Sequence, residues 1–201
     1  MTQVCKIILV RHGESVNNKQ NIVAGDSPLT DKGREQARQA KETLARFHFD
    51  EAYSSDMVRA VETAEIISGK KLPPENKLSG LRERNFGSLA GESGVHHDKE
   101  HEQRLGMNHE ENWAYKYVPD MESDDELSSR FVEHLERLAQ QHPGETILVA
   151  AHGAAIRTLL MRLNNLTYHD LPNNSFKNAG YVEIDYDGKN LKVVHTEGVR
   201  K

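Results

Sequence analysis

Two short stretches of nearly continuous apolar character punctuate an otherwise polar chain, Cys5 to Val10 and Thr146 to Ala150. Both are partly β-branched, the pattern of a strand covered on both faces. Between and around them apolar positions recur at helical spacing. Ala37, Ala40 and Leu44 predict a helix from about Asp31 to Arg46, with Thr30 as its N-cap. Val58, Val61, Ala64 and Ile67 predict a second from about Met57 to Ser68, capped by Asp56. Ser123 to Glu126 forms a capping box, and Leu127, Phe131, Leu135 and Leu138 continue on one face of a helix that Gly144 ends. A further helix runs from His152-Gly153 to about Leu163. Glu51 to Tyr53 reads as a short strand, and Pro73-Pro74 breaks the chain. Gly180 to Tyr186, the turn Asp187-Gly188 and Leu191 to His195 read as a hairpin. His96 to Asn112 is charged and histidine-rich, an exposed excursion.

Strands alternating with helices predict an α/β fold, a three-layer sandwich with a mostly parallel central sheet flanked by helices. We read 1–201 as a single domain carrying an insertion or lid at about 87–120. Composition narrows the partners. A net charge of −5 excludes a broad basic footprint for nucleic acid. Mean hydropathy is −0.73, and the apolar runs are too short to span a bilayer. The first residues lack the pattern of a signal peptide. The single cysteine, Cys5, excludes an internal disulfide and fits a cytoplasmic protein.

Candidate chemistry sits at the strand ends, where open α/β sheets gather their ligands. Arg11-His12-Gly13 follows the first strand, Ser54-Ser55 and then Arg59 the second, and His152-Gly153 the strand from Thr146. Alone, each has an ordinary explanation: a turn, a surface helix arginine, a satisfied core histidine. Together they place two histidines, two arginines and helix N-termini around one crevice suited to a dianion such as phosphate. The neighbouring glycines would let backbone N–H groups approach the ligand.

Arg11-His12-Gly13-Glu14-Ser15 resembles the signature of the histidine phosphatase superfamily, the phosphoglycerate-mutase-like proteins. Four further segments resemble that family in order: Gly25 to Gly33, Ser54 to Ala64, Leu81 to Gly87 and Val149 to Arg157. The likeness covers about residues 5 to 165. It implies His12 as a nucleophile that forms a phosphohistidine, with Arg11, Arg59 and His152 clamping the phosphoryl oxygens. It implies Glu83 as general acid and then base. Were the insertion to fold over the pocket, Glu92 or Glu110 would contribute as well. Asn18, with Asn17 as the nearby alternative, would add a phosphate hydrogen bond. Gly13, Ala24, Gly25 and Gly153 would line the substrate site. No metal and no cofactor is needed in this scheme.

Mutases of this type carry a tryptophan followed by two arginines that bind the substrate carboxylate. Here Trp113 is followed by Ala114 and Tyr115, which cannot form a bidentate pair with a carboxylate. A phosphatase acting on a phosphorylated small molecule is therefore favoured. A phosphoglycerate mutase-type isomerase and a non-catalytic phosphate-binding module are the alternatives. His97 and His101, at i and i+4, could share a metal, but a solvated helix face is the ordinary reading. Lys99, Arg104 and Lys116 are candidates for substrate contact from the lid. Monomer and homodimer are equally allowed.

Overall fold

A computed structural model describes residues 3–94 and 96–200, without the side chains of residues 96–98. In chain order the elements are β1 (Cys5–Arg11), α1 (Val16–Gln20), α2 (Asp31–Thr43), β2 (Glu51–Ser55), α3 (Val58–Ser68), β3 (Lys77–Leu78), α4 (His96–Leu105), α5 (His109–Ala114), α6 (Asp124–Gln141), β4 (Thr146–Ala151), α7 (Gly153–Asn164), β5 (Phe176–Tyr186) and β6 (Leu191–Val199). They build one six-stranded sheet in the order β3-β2-β4-β1-β5-β6. The pairings among β3, β2, β4 and β1 are parallel. The β5–β6 hairpin adds antiparallel to β1, so the sheet is mixed.

The central strands are apolar at successive positions because both faces are covered. Ile7, Leu9, Ile147 and Val149 pack beneath Leu127, Phe131 and Leu135 of α6 and Ile156 and Leu159 of α7. Ile8, Val10 and Leu148 point the other way, onto Ala40 of α2, Leu44 and Ile67 of α3. Each fully buried aliphatic side chain contributes roughly 1.5–3 kcal/mol. Cys5 belongs to this core, and burial pushes its thiol up to about 11. Among the described residues no helix is long and apolar enough to cross a membrane.

Several local expectations are corrected by tertiary contacts. Thr30 does cap α2, accepting from the Gly33 N–H at 3.0 Å. Asp56 does not cap α3, because both its carboxylate oxygens are taken by Arg82 at 2.7 Å. The free Val58 N–H donates instead to Asp26, which lies on a distant loop, at 2.9 Å. Helix α6 stops at Gln141, ahead of Gly144. The histidine-rich excursion is helical rather than simply exposed. Glu100 and Arg104 of α4 and Asn112 of α5 are buried. At the ends of the paired strands β1 and β4, Arg11 lies in register with Ala151. The His12 N–H donates to the Ala151 carbonyl at 2.9 Å, so the two chains leave the sheet side by side and carry His12 and His152 together.

Candidate active site

His12 and His152 lie with ring centroids 5.1 Å apart, edge to face. The orientation of His12 is fixed from both sides. Its Nδ1 is 2.7 Å from the Gly13 carbonyl, which makes Nδ1 the protonated nitrogen. Nε2 is therefore the lone pair, and it accepts from Arg59 Nε at 3.1 Å. Burial, then Arg59 and Arg11, holds the His12 imidazole well below its usual range, so the ring is neutral. His152 is fully buried, and the same influences, with His12 added, lower it as well. Neither of its ring nitrogens has a hydrogen-bond partner, and neither does Arg11 Nε. Unpaired buried polar atoms are costly, and such a group converging on one place marks where a polar ligand would be held.

The two arginines are anchored by their other nitrogens. Arg11 Nη1 donates to the Phe176 carbonyl. Burial brings its guanidinium down to about 10, partly offset by Glu83. Arg59 Nη1 donates to the Gly25 carbonyl at 2.7 Å. Its nearest carboxylate, Asp26, stands 3.8 Å away and is half exposed. Two cations thus face a buried neutral imidazole pair with little compensating negative charge.

Glu83 supplies a carboxyl to the cavity, and it is held by backbone. Oε1 accepts from the N–H groups of Arg84 at 2.9 Å and Ala155 at 3.2 Å. Oε2 accepts from Ala154 at 3.1 Å, at the first turn of α7. The first N–H groups of α7 and that of Arg84 thus fix where the carboxyl points. Oε1 uses two lone pairs in these bonds and Oε2 one, so Oε2 keeps a lone pair for a proton.

Arg11, His12, Asn18, Ala24, Arg59, Glu83 and Gly153 line one cavity of about 110 Å³. Asn18 accepts with Oδ1 from the Ser15 N–H and from Asn178, both at 3.3 Å. The alternative, Asn17, spends its amide on the Ala24 carbonyl at 2.7 Å. Gly153 is needed because a Cβ there would meet the Arg11 guanidinium at 3.0 Å. Two expected ligand contacts are corrected. The Gly13 N–H already donates to Thr63 at 3.1 Å, and a Cβ at Gly13 would meet the Gly33 carbonyl oxygen at 2.3 Å. Gly13 serves close packing against α2, and Gly25 serves Arg59 through its carbonyl. Glu92 and Glu110 are exposed and do not line the cavity.

The lid residues are also placed differently from expectation. Arg104 is fully buried and committed: it donates to Asn112 Oδ1 and to the Asn112 carbonyl, both at 2.9 Å, and to Asp124 at 2.6 Å. Lys116 pairs with Glu126 on the surface at 2.7 Å, and Lys99 is exposed. Trp113 donates to His109 at 2.9 Å and lies under Arg162, away from the cavity. His101 pairs with the Tyr168 hydroxyl at 3.0 Å. The side chain of His97 lies outside the described residues.

Sequence reasoning missed a second charged cluster behind the cavity wall. Asp124, fully buried at the start of α6, receives Arg84, Arg104 and Arg157. Burial alone would push its carboxyl up, but Arg157, Arg84 and Arg104 outweigh that and hold it below the usual carboxylate range. Arg84 and Arg157 reach the cavity, as do Glu100, Phe86 and the segment 173–176. The available signal was Asp124 itself, hidden inside the capping box Ser123 to Glu126.

Comparison with known proteins agrees with this geometry. A family model described as the histidine phosphatase superfamily (branch 1) matches residues 7–197. The chain is 33% identical over 166 residues to the uncharacterised phosphatase PhoE of Bacillus subtilis, covering 82% of this chain and 78% of that protein. It is 34% identical over 177 residues to a 2,3-bisphosphoglycerate-dependent phosphoglycerate mutase of Bartonella bacilliformis, covering 82% and 84%. The solved structure of Bacillus stearothermophilus YhfR superposes with a TM-score of 0.79 at 29% identity, covering 98% of both chains. The chain thus belongs to the histidine phosphatase superfamily, branch 1, as an enzyme of the phosphatase and phosphoglycerate mutase type.

Proposed function

We propose that the protein is a phosphomonoesterase that hydrolyses a phosphorylated small molecule through a phosphohistidine on His12. The observation that carries this is the tautomer of His12: with Nδ1 tied to the Gly13 carbonyl, the Nε2 lone pair is turned to Arg59, in the cavity that Arg11 and Glu83 also line. In the free enzyme Arg59 Nε–H covers that lone pair. A phosphoryl oxygen is the stronger, charge-assisted acceptor, so substrate draws Arg59 away and releases Nε2 to attack. Arg11 Nε, His152 and the Asn18 amide then hold the remaining oxygens.

In the first step the Nε2–phosphorus bond forms and the bond to the leaving oxygen breaks, while protonated Glu83 gives its proton to that oxygen. In the second, water attacks phosphorus, the phosphorus–nitrogen bond breaks, and Glu83 takes the water proton. Phosphate leaves and both residues return to their starting state. Most of the acceleration comes from placing and balancing charge on the phosphoryl oxygens. Phe86 and Glu100 of α4 also line the cavity and would lie against the substrate.

Hydrolysis is favoured over mutase chemistry by what the sequence lacks after Trp113. Ala114 and Tyr115 replace the arginine pair that the resemblance associates with carboxylate binding. The other lining guanidiniums, Arg84 and Arg157, already donate to Asp124. The test is a panel of aryl, sugar and glycerate phosphates with excess EDTA, with and without a bisphosphate primer, scored for free phosphate and for isomers. Wild type is expected to release phosphate, and His12→Ala to lose at least about 10³-fold in rate. Isomerisation without phosphate release would establish the mutase reading instead.

A further inference from the structure

Glu83 stands on an irregular stretch of backbone. It follows β3 and the 3-10 turn Ser79–Leu81 and takes no part in the sheet. Its carbonyls therefore need partners from elsewhere. One side chain of α6 supplies three of them. Arg130 Nη1 donates to the Gly80 carbonyl at 2.8 Å and to the Arg82 carbonyl at 3.2 Å, and Nη2 reaches the Glu83 carbonyl at 3.4 Å.

The guanidinium is itself locked. Its Nε and Nη2 donate to the two carboxylate oxygens of Glu122, each at 2.8 Å, in the bidentate geometry that fixes an arginine's plane. Glu122 closes the other end of the stretch. Its carboxylate accepts the Asn85 N–H at 3.1 Å, and its own N–H donates to the Asn85 carbonyl at 2.8 Å. One turn on from Arg130, the His134 ring lies where a Cβ on Gly80 would meet it at 1.8 Å, so the stretch is seated directly on α6.

From this geometry we infer that Arg130, aligned by Glu122, is the positioning residue that fixes the Glu83 carboxyl in the cavity. Arg130 does not line the cavity around His12 and touches no reacting atom. It acts by holding the backbone on either side of Glu83, so that the carboxyl reaches both the first turn of α7 and the leaving oxygen. The inference rests on the reading of Glu83 as the proton donor. Displacement of a catalytic group by about 1 Å can cost ~10²-fold.

The experiment compares kcat/KM on p-nitrophenyl phosphate, phenyl phosphate and glycerol 2-phosphate, whose leaving groups need a proton to increasing degrees. Wild type, Arg130→Gln, Arg130→Lys, Glu83→Gln and the double variant Arg130→Gln/Glu83→Gln are measured alongside their Tm. Arg130→Gln is expected to lose about 10- to 100-fold more on glycerol 2-phosphate than on p-nitrophenyl phosphate. Adding it to Glu83→Gln should change that ratio by less than about twofold, since the two act through one group. Arg130→Lys, which keeps the charge without the fork, should fall between wild type and Arg130→Gln. Equal loss on all three substrates, full recovery by Arg130→Lys, or additive effects in the double variant would each overturn the proposal while leaving Glu83 in its role. If Glu83→Gln itself leaves the ratio unchanged, the proton donor is elsewhere and the proposal falls with that reading. Should Arg130→Gln not fold, Glu122→Gln keeps the guanidinium but frees its plane, and the same skew is expected in smaller measure; a uniform loss there overturns it equally.

Discussion

Two arginine-rich clusters share the wall of one cavity, and they treat charge in opposite ways. Around His12, Arg11 and Arg59 face two imidazoles that burial and the guanidiniums keep neutral, and Arg11 Nε and both nitrogens of His152 are without partners. Around Asp124, three guanidiniums surround a single fully buried carboxylate that accepts on both oxygens. The first arrangement concentrates positive potential on donors that the protein itself leaves unpaired, which is how a protein prepares to hold a dianion. The second cancels its own field and ties α4, α6 and α7 together. Both clusters are buried and rich in arginine; the position of the carboxylate separates a reactive site from a structural one.

The sharpest way to break this comparison is Asp124→Asn. Removing the central charge leaves three guanidiniums poorly compensated, and a loss of roughly 3–5 kcal/mol in unfolding free energy is expected in urea titration. A loss below about 1 kcal/mol would mean the cluster carries little of the fold.

Arg59→Met tests the other half. It should cost about 10²- to 10³-fold in kcat/KM on p-nitrophenyl phosphate while moving stability little. The same variant should lose the rise in Tm that inorganic phosphate gives wild type, because ligand stabilisation follows affinity for the native state. An unchanged phosphate response would remove Arg59 from the anion site.

The smallest effect is in pH. His12 and His152 are held below their unfolded value of 6.5, so below that pH the unfolded chain binds more protons than the native one. Their contribution is fully present above 6.5 and is lost as pH falls, at up to about 1.4 kcal/mol per pH unit for each. Asp124, lowered from its ordinary value, contributes above that value and loses its effect only under more acid conditions. Urea stability measured at pH 7 and pH 5.5 should therefore fall more for wild type than for His12→Gln/His152→Gln. Equal slopes would mean that the two imidazoles do not stay neutral in the native state.

Much of this was legible along the chain because it depends on local rules. The apolar runs gave β1 and β4, the 3.6-residue spacing gave α2, α3, α6 and α7, and polar residues stood at the ends of the strands. Thr30 and Ser123 cap the helices they were expected to cap. What was not legible was settled between residues far apart in sequence. Asp56 looked like a cap until Arg82 took both its oxygens. Arg104 looked like a substrate ligand until neighbours on α4, α5 and α6 took up its donor groups. Gly13 looked like room for a ligand and proved to be room for Gly33.

The sequence by itself determined the strongly patterned elements and which residue types stand at the strand ends, since periodicity and capping act over a few residues. The tertiary structure alone decided which of those groups are spent and which are left unpaired. Register set His12 beside His152, the Gly13 carbonyl chose the tautomer, and α7 presented its first N–H groups to Glu83. Hydrogen bonding and burial depend on which surfaces meet, and no local pattern encodes that.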